Sequence, residues 1–568
     1  MEYKSENKVC QNCKKKFVIE KDDFSFYEKI KVPPPTFCPS CRSQRRLAWR
    51  NDIFLYNRMC DLCKKSVVTI YSKESNIIVY CNKCWWGDTW DVFKYGKDYD
   101  FSRAFFEQFK EFLLKIPHLA LVNDNNIASV NCEYTQDFAF SKNCYMVFIG
   151  WKIENVIYSY YIIAGKDMID CMNVMVNSQW LYECIQPEEC YRVKYSQFTV
   201  SCMDSQFIYD CRNCTNCFLC SGLRNAKYYF KNKQYSKEEY EKILSNYNLD
   251  TFLGAERAQK EFDDFILNTP RRCNNVIHSL NSSGDLLKNA KNSFFCFNVQ
   301  NPENCKWIDN ADTPHDSYDL ATGGELSECY EGITCDHSSR NLFGIFSWKN
   351  QDVEYTHHCH SSKSLFGCVG IRNKKYCIFN KQYTKEEYEK LVLKIKQQMN
   401  DIPYIDKKGI VYKYGEFYPM ELSYFGYNET VAGERFSLEK EEATSQNLNW
   451  QDNIQRTTGK ETLKPENIPE SINDVEDSIV DEVLVCINCQ RNYKIIENEL
   501  IFYRKMKIPV PRRCFYCRHT NRMKRRNPFK LWHRKCMKEG CQNEFETSYA
   551  PERPEIVYCE SCYQQEVY

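Results

Sequence analysis

Glycine is scarce in this chain, 19 of 568 residues. No glycine-rich phosphate loop, nucleophile elbow or HExxH pair occurs, which removes the commonest sequence signs of nucleotide, hydrolase and metalloprotease chemistry. Acidic pairs are abundant, but none is distinctive. No apolar run approaches the length of a membrane span, and the polar start Met1-Glu2-Tyr3-Lys4 has no signal-like apolar stretch. The expectation is therefore a cytoplasmic, non-enzymatic protein with no membrane partner and no evident small-molecule substrate. In a reducing compartment, cysteines read as metal ligands and buried thiols rather than disulfides. An exported, disulfide-rich protein is the alternative, and the missing signal and the cysteine spacing argue against it.

Cysteine and aromatics are plentiful: 34 Cys, 40 Tyr and 35 Phe. Sixteen cysteines form two sets of eight. The first is Cys10, Cys13, Cys38, Cys41, Cys60, Cys63, Cys81 and Cys84. The second is Cys486, Cys489, Cys514, Cys517, Cys536, Cys541, Cys559 and Cys562. The gaps run 2, 24, 2, 18, 2, 17, 2 in the first and 2, 24, 2, 18, 4, 17, 2 in the second. Two cysteines a tight turn apart, meeting a second such pair, supply four thiolates for a tetrahedral zinc site. Each set then holds two zinc ribbons, about four structural zinc ions in all. Catalytic zinc would need an open position or a different ligand.

The first ribbon of each set carries Phe17, Phe26-Tyr27, Pro33-Pro34-Pro35 and Cys38-Pro-Ser-Cys41-Arg42, or Tyr493, Phe502-Tyr503, Pro509-Val-Pro511 and Cys514-Phe-Tyr-Cys517-Arg518. This resembles a zinc-ribbon domain of bacterial proteins. The wider layout, with Cys84-Trp85-Trp86, Tyr95 to Ser102, Tyr427-Asn428-Glu429-Thr430 and Pro528 to Trp532, resembles multi-zinc-ribbon proteins of uncultured small-genome bacteria that have a Cys-rich repeat middle. The resemblance implies zinc binding and a repetitive middle, and it implies no activity.

Charge is segregated. Residues 484–535 carry 15 basic against 2 acidic side chains, whereas the middle is acidic. A basic stretch leaves the first ribbon of each set: Arg42, Arg45, Arg46 and Arg50, and Arg518, Arg522, Lys524, Arg525, Arg526 and Arg534 with Trp532. Arginine forks grip phosphates and aromatic faces stack on unpaired bases, so RNA or single-stranded DNA is one expected partner. Docking on the acidic middle of the same chain, or on a protein partner, is the other reading.

The middle is duplicated. Residues 220–244 and 368–392 match at 16 of 25 positions, both containing Asn-Lys-Gln-Tyr before a capping box, Ser236 with Glu239 and Thr384 with Glu387. Short aromatic and apolar runs between Asn, Asp and Ser suit short strands joined by turns. The blocks ending at Cys202 and Cys211 recur at nine residues. Such repetition predicts a solenoid with a rung of roughly 18–20 residues. Helices are expected over 102–116, capped by Ser102, and near 252–267. Most middle cysteines read as small buried hydrophobes. Cys211, Cys214, Cys217 and Cys220 could instead hold extra zinc or an iron–sulfur cluster, which would make a redox protein the third functional reading. His357-His358-Cys359-His360 reads as a solenoid turn from which at most two or so side chains could reach one metal.

The expected fold is mainly β with capping helices, tandem zinc ribbons at both termini flanking two β-solenoid-like repeat units. Ribbons fall at 1–50, 51–90, 484–520 and 521–568. Solenoid-like units fall at 130–250 and 278–400. Connectors fall at 91–129, 251–277 and 401–436, and an acidic flexible linker at 437–483.

Overall fold

Strand pairing between residues twelve apart organises the middle of the chain. The structure, a computed structural model, describes residues 4–123 and 129–568. Residues 124–128 of the connector expected over 91–129 therefore lie outside the described part, as do 1–3. Gln136 pairs with Phe148 and Phe148 with Tyr160; Leu181 pairs with Val193 and Leu287 with Val299, all parallel. The strands assemble into ten- and four-stranded sheets over 130–234 and an eleven-stranded sheet over 276–382.

The repeat is thus 12 residues rather than the 18–20 expected. Backbone φ turns positive at every third residue, as at Asn131, Tyr134, Asp137, Phe140 and Asn143. Each 12-residue lap therefore has four three-residue sides. Left-handed φ costs most residues roughly 1 kcal/mol or more, and after Gly it is tolerated best by Asn and Asp, in keeping with the many Asn corners. The corner amides also bond along the stack. Asn131 donates to Asn143 (3.2 Å), Asn143 to Asn155 (3.0 Å) and Asn155 to Asp167 (2.8 Å). The nine-residue rhythm seen in the sequence is three sides of a lap. Cys202 accordingly donates its thiol to the carbonyl of Cys211 at 3.3 Å.

Inward positions alternate Leu, Ile and Val with small side chains. Ser293, Cys305, Ser317 and Cys329 form one row twelve apart, in which each serine hydroxyl accepts the backbone N–H of the next cysteine. Burial pushes the thiols of Cys305, Cys329 and Cys359 up to about 12, so they sit as neutral packing groups.

Both stacks end in the same way. The side chains of Asn232 and Asn380 each bond a backbone N–H and a carbonyl of the last full lap. An antiparallel two-residue strand follows, then the helices Lys237–Ser245 and Lys385–Asp401 with both expected capping boxes. The helix expected at 252–267 is Phe252–Leu267, capped by Thr251. The one expected at 102–116 is Phe105–Lys115. Ser102 does not cap it; its hydroxyl and N–H bond Asp100 in the preceding turn.

Contacts gather the chain into two units: 1–125 with 275–454, and 126–274 with 455–568. In the first unit, Phe105, Phe106 and Phe109 pack with Tyr355, Phe366, Phe379 and Tyr418. Phe26 stacks on Tyr318 at 3.8 Å between ring centroids. Residues 437–483, expected as a flexible linker, carry short helical turns and buried anchors. Ala443 and Leu448 pack with Leu47 and Ala48 in the first unit. Ile468, Ile472, Val475 and Ile479 are buried in the second, where the Ile472 N–H donates to the Asp250 carbonyl at 3.0 Å. Acid-rich composition masked these few apolar residues, three or four apart.

Gly284 has φ +145°, and a Cβ there would lie 1.9 Å from the Cys296 carbonyl oxygen on the adjoining strand. Gly409 has φ +76° but open space around it. Gly284→Ala is expected to destabilise the first unit by about 3 kcal/mol or more, and Gly409→Ala by about 1 kcal/mol. Denaturant unfolding checks this; equal losses would remove the packing argument.

Candidate metal centres and arginine docking

All sixteen end-set cysteines gather as the spacing predicted. Cys10, Cys13, Cys38 and Cys41 bring their sulfurs within 4.8 Å of one another. So do Cys60, Cys63, Cys81 and Cys84; Cys486, Cys489, Cys514 and Cys517; and Cys536, Cys541, Cys559 and Cys562. Contact distances are 3.7 Å for Cys13–Cys38, 3.7 Å for Cys486–Cys517, 3.6 Å for Cys489–Cys514 and 3.9 Å for Cys63–Cys81 and Cys541–Cys559. A tetrahedron with metal–sulfur bonds of about 2.3 Å has edges of about 3.8 Å. The four sets therefore have room for one tetrahedral ion each.

Local structure presents these sulfurs. The first pair of a set sits in a tight turn, where the Cys10 N–H donates to the Lys15 carbonyl and Lys14 takes φ 59°. Lys64 and Gln490 take the same conformation after Cys63 and Cys489. In the wider Cys536–Cys541 gap, Gly540 supplies the positive φ. The second pair opens a helix: Cys38, Cys81, Cys514 and Cys559 are the N-cap residues of Pro39–Leu47, Asn82–Trp86, Phe515–Arg525 and Glu560–Val567. A helix N-terminus favours thiolate. Backbone N–H groups of Cys81 and Cys559 also point at the Cys60 and Cys536 sulfurs, both at 3.2 Å.

The basic segments do not form the exposed grip expected for nucleic acid. Arg42, Arg45 and Arg46 are each 1% exposed, Arg50 2%, Arg518 5%, Arg522 1% and Arg526 8%. Most lie on the helices that the second cysteine pairs open, and they meet acids of the parallel stacks. In the first unit, Asp319 accepts from Arg42 Nε at 3.0 Å and from Arg46 at 2.9 Å. Arg45 bridges Glu416 at 2.7 Å and Glu331 at 2.5 Å, and Arg50 bonds Asp52 at 2.6 Å. Burial pushes the Glu331 carboxyl up, against the pull of Arg45 and Arg46.

The second unit repeats this. Asp170 accepts from Arg518 Nε at 2.7 Å and pairs with Arg522 at 2.8 Å, and Arg522 also reaches Glu183 at 3.0 Å. Arg42 and Arg518 each donate to a carbonyl five residues back, those of Phe37 and Arg513. Arg525 lies 4.0 Å from Glu183. Lys524 stays exposed, and Trp532 and Arg534 are half-buried. Arg534 donates to the Ala550 carbonyl at 3.2 Å. The docking was legible only as the second of two readings, because sequence cannot tell a phosphate from a carboxylate of the same chain.

Cys211, Cys214, Cys217 and Cys220 are not brought together as a metal set. Five groups of three or more close ligand atoms occur among the described residues, and these cysteines form none of them. A three-residue spacing places them on successive sides of the stack. Each is fully buried and donates to the carbonyl two residues back, at 3.2 to 3.7 Å.

The fifth group is His118, His357 and His358. Sequence reading singled out the last two, within 357–360, and missed His118, whose distance along the chain hid it. Burial holds the His118 ring down to about 4 and the other two well below their ordinary value.

No helix among the described residues is long and apolar enough to cross a membrane. No family model matches this chain, and no curated protein matches it. Among solved structures, one described as a "putative acetyltransferase" from Desulfovibrio desulfuricans G20 covers 50% of this chain and 86% of its own, at 8% identity and TM-score 0.10. So slight a likeness carries no argument.

Replacing one member of the docking cluster tests its weight. Arg45→Met leaves Glu331 and Glu416 buried beside one charge fewer, and is expected to cost about 3–5 kcal/mol in metal-loaded protein. Lys524→Met, on the exposed side, is expected to change stability by about 0.5 kcal/mol or less. A loss below about 1 kcal/mol for Arg45→Met would show that the pairs do not hold the helix down.

Proposed function

We propose that this protein is a non-enzymatic scaffold whose ribbons are internal clasps. Each four-cysteine set holds one structural zinc ion, about four in all, because zinc suits a closed tetrahedral site of four thiolates. The two parallel stacks are β-solenoid units, each capped by a helix, and each takes one ribbon pair. The observation that carries this reading is the repeated pairing of Asp319 and Asp170 with the arginines of the docked helices.

The partner class that fits best is protein. The basic residues named as nucleic-acid contacts are largely used within the chain, which leaves Lys524 and the surroundings of Trp532 for a polyanion. A trough of about 1330 Å³ runs along the second stack, with Thr313, Glu325, His337, Lys349 and Ser361 in one row twelve residues apart. Extended stacks of this kind commonly bind partners along such a face.

Two measurements test the proposal. Metal analysis of purified protein should find one sulfur-bound zinc per four-cysteine set, and chelation should lower the melting temperature. Fewer sulfur-bound ions, or iron with a visible absorption band, would defeat the zinc assignment. Crosslinking pull-down from cells should capture proteins that survive nuclease treatment. Capture that vanishes with nuclease and weakens steeply with salt would transfer the role to RNA or single-stranded DNA.

A further inference from the structure

The three histidines His118, His357 and His358 are 0–1% exposed and come from distant parts of the first unit. His118 lies on the short strand His118–Leu119, which pairs with Val79–Tyr80 of the second ribbon. His357 and His358 are adjacent on one lap of the stack, with ring centroids 4.6 Å apart, and His118 stands 5.0 and 5.8 Å from them. One ring nitrogen of each lies within 4.8 Å of the others.

The hydrogen bonding is one-sided. The Nε2 of His118 faces the Leu113 carbonyl at 3.0 Å, that of His357 the Tyr424 hydroxyl at 2.7 Å, and that of His358 the Tyr71 hydroxyl at 3.3 Å. The Nδ1 atoms of all three are buried and have no hydrogen-bond partner. A carbonyl can only accept, so Nε2 of His118 carries its proton and Nδ1 keeps a lone pair. Single buried histidines normally satisfy both nitrogens. Three clustered orphans with their far nitrogens oriented by carbonyl and hydroxyl groups match the arrangement of metal-ligating histidines, whose other ring nitrogen is held by a second partner.

We propose that His118, His357 and His358 bind one divalent first-row transition-metal ion through Nδ1. Neutral imidazole suits zinc, copper, nickel and iron. Ideal zinc–nitrogen bonds of about 2.0–2.1 Å set the nitrogens about 3.4 Å apart, inside the 4.8 Å within which one ring nitrogen of each histidine gathers. No carboxylate or thiolate belongs to the group, so a fourth position falls to water or a small anion. Phe346 and Trp85 flank His358, with centroids 5.3 and 6.2 Å away. The ion would tie the second ribbon, through His118, to the lap carrying His357 and His358. This proposal uses none of the cysteine ligands.

Full-length protein is loaded with ¹¹³Cd²⁺, freed of excess ion, and examined by metal analysis and ¹¹³Cd NMR. The expected result is one ion per chain beyond those of the four cysteine sets, with a resonance separate from the sulfur-bound ones. His358→Gln and His118→Gln should each lose that resonance and leave the sulfur-bound group in place. The wild-type spectrum decides the matter even if a variant fails to fold. Saturation with sulfur-bound ions only, or a nitrogen-bound resonance that persists in both folded variants, overturns the proposal. Incomplete filling of the cysteine sets would appear in the sulfur-bound resonances and leave this test readable.

Discussion

One buried carboxylate in each stack sets the architecture. Asp319 and Asp170 are fully buried, and burying a carboxylate without cationic partners is costly. Each receives two arginines four residues apart, which project from one face of the helix opened by the second cysteine pair. A buried ion pair is weak evidence for net stability, because desolvation offsets much of its attraction. Its stronger consequence is register. A ribbon helix displaced by one lap would leave the aspartate unpaired and its arginines buried without partners.

This constraint couples the ribbons to the stacks in energetic terms. A terminal module of some forty residues has little core of its own, and its four-cysteine set lies at the start of the arginine helix. The stack supplies the acids and an aromatic seat. Tyr27 packs on Tyr330 in one unit and Tyr503 on Tyr182 in the other. Cysteine set, helix and acid thus recur together, so the duplication extends beyond the end modules and the repeats to the way they dock.

The legible parts of the chain were those written in short spacings. Closely spaced cysteines meet through a tight turn whatever surrounds them, and the capping boxes at Ser236 and Thr384 are closed within four residues. The lap length was misread because every three-residue side repeats nearly the same pattern, so a nine-residue rhythm stands out as clearly as a twelve-residue one. Ser102 looked like a cap because its hydroxyl precedes an apolar stripe, yet Asp100 takes that hydroxyl first. The Cys211 to Cys220 run had ligand-like spacing, but its cysteines sit on successive sides of the stack, where their thiols pack in one buried core and donate to backbone carbonyls.

The four-cysteine sets, the duplication and the stack-ending helices were written in the sequence, because each follows from covalent spacing and local hydrogen bonding. What the arginines meet, and that His118 joins His357 and His358, follows only from the folded chain. Those pairings link residues hundreds of positions apart, and they depend on which lap of the stack lies beneath a given ribbon. Charge can be read along a chain, but the partner of a charge depends on where the chain returns in space.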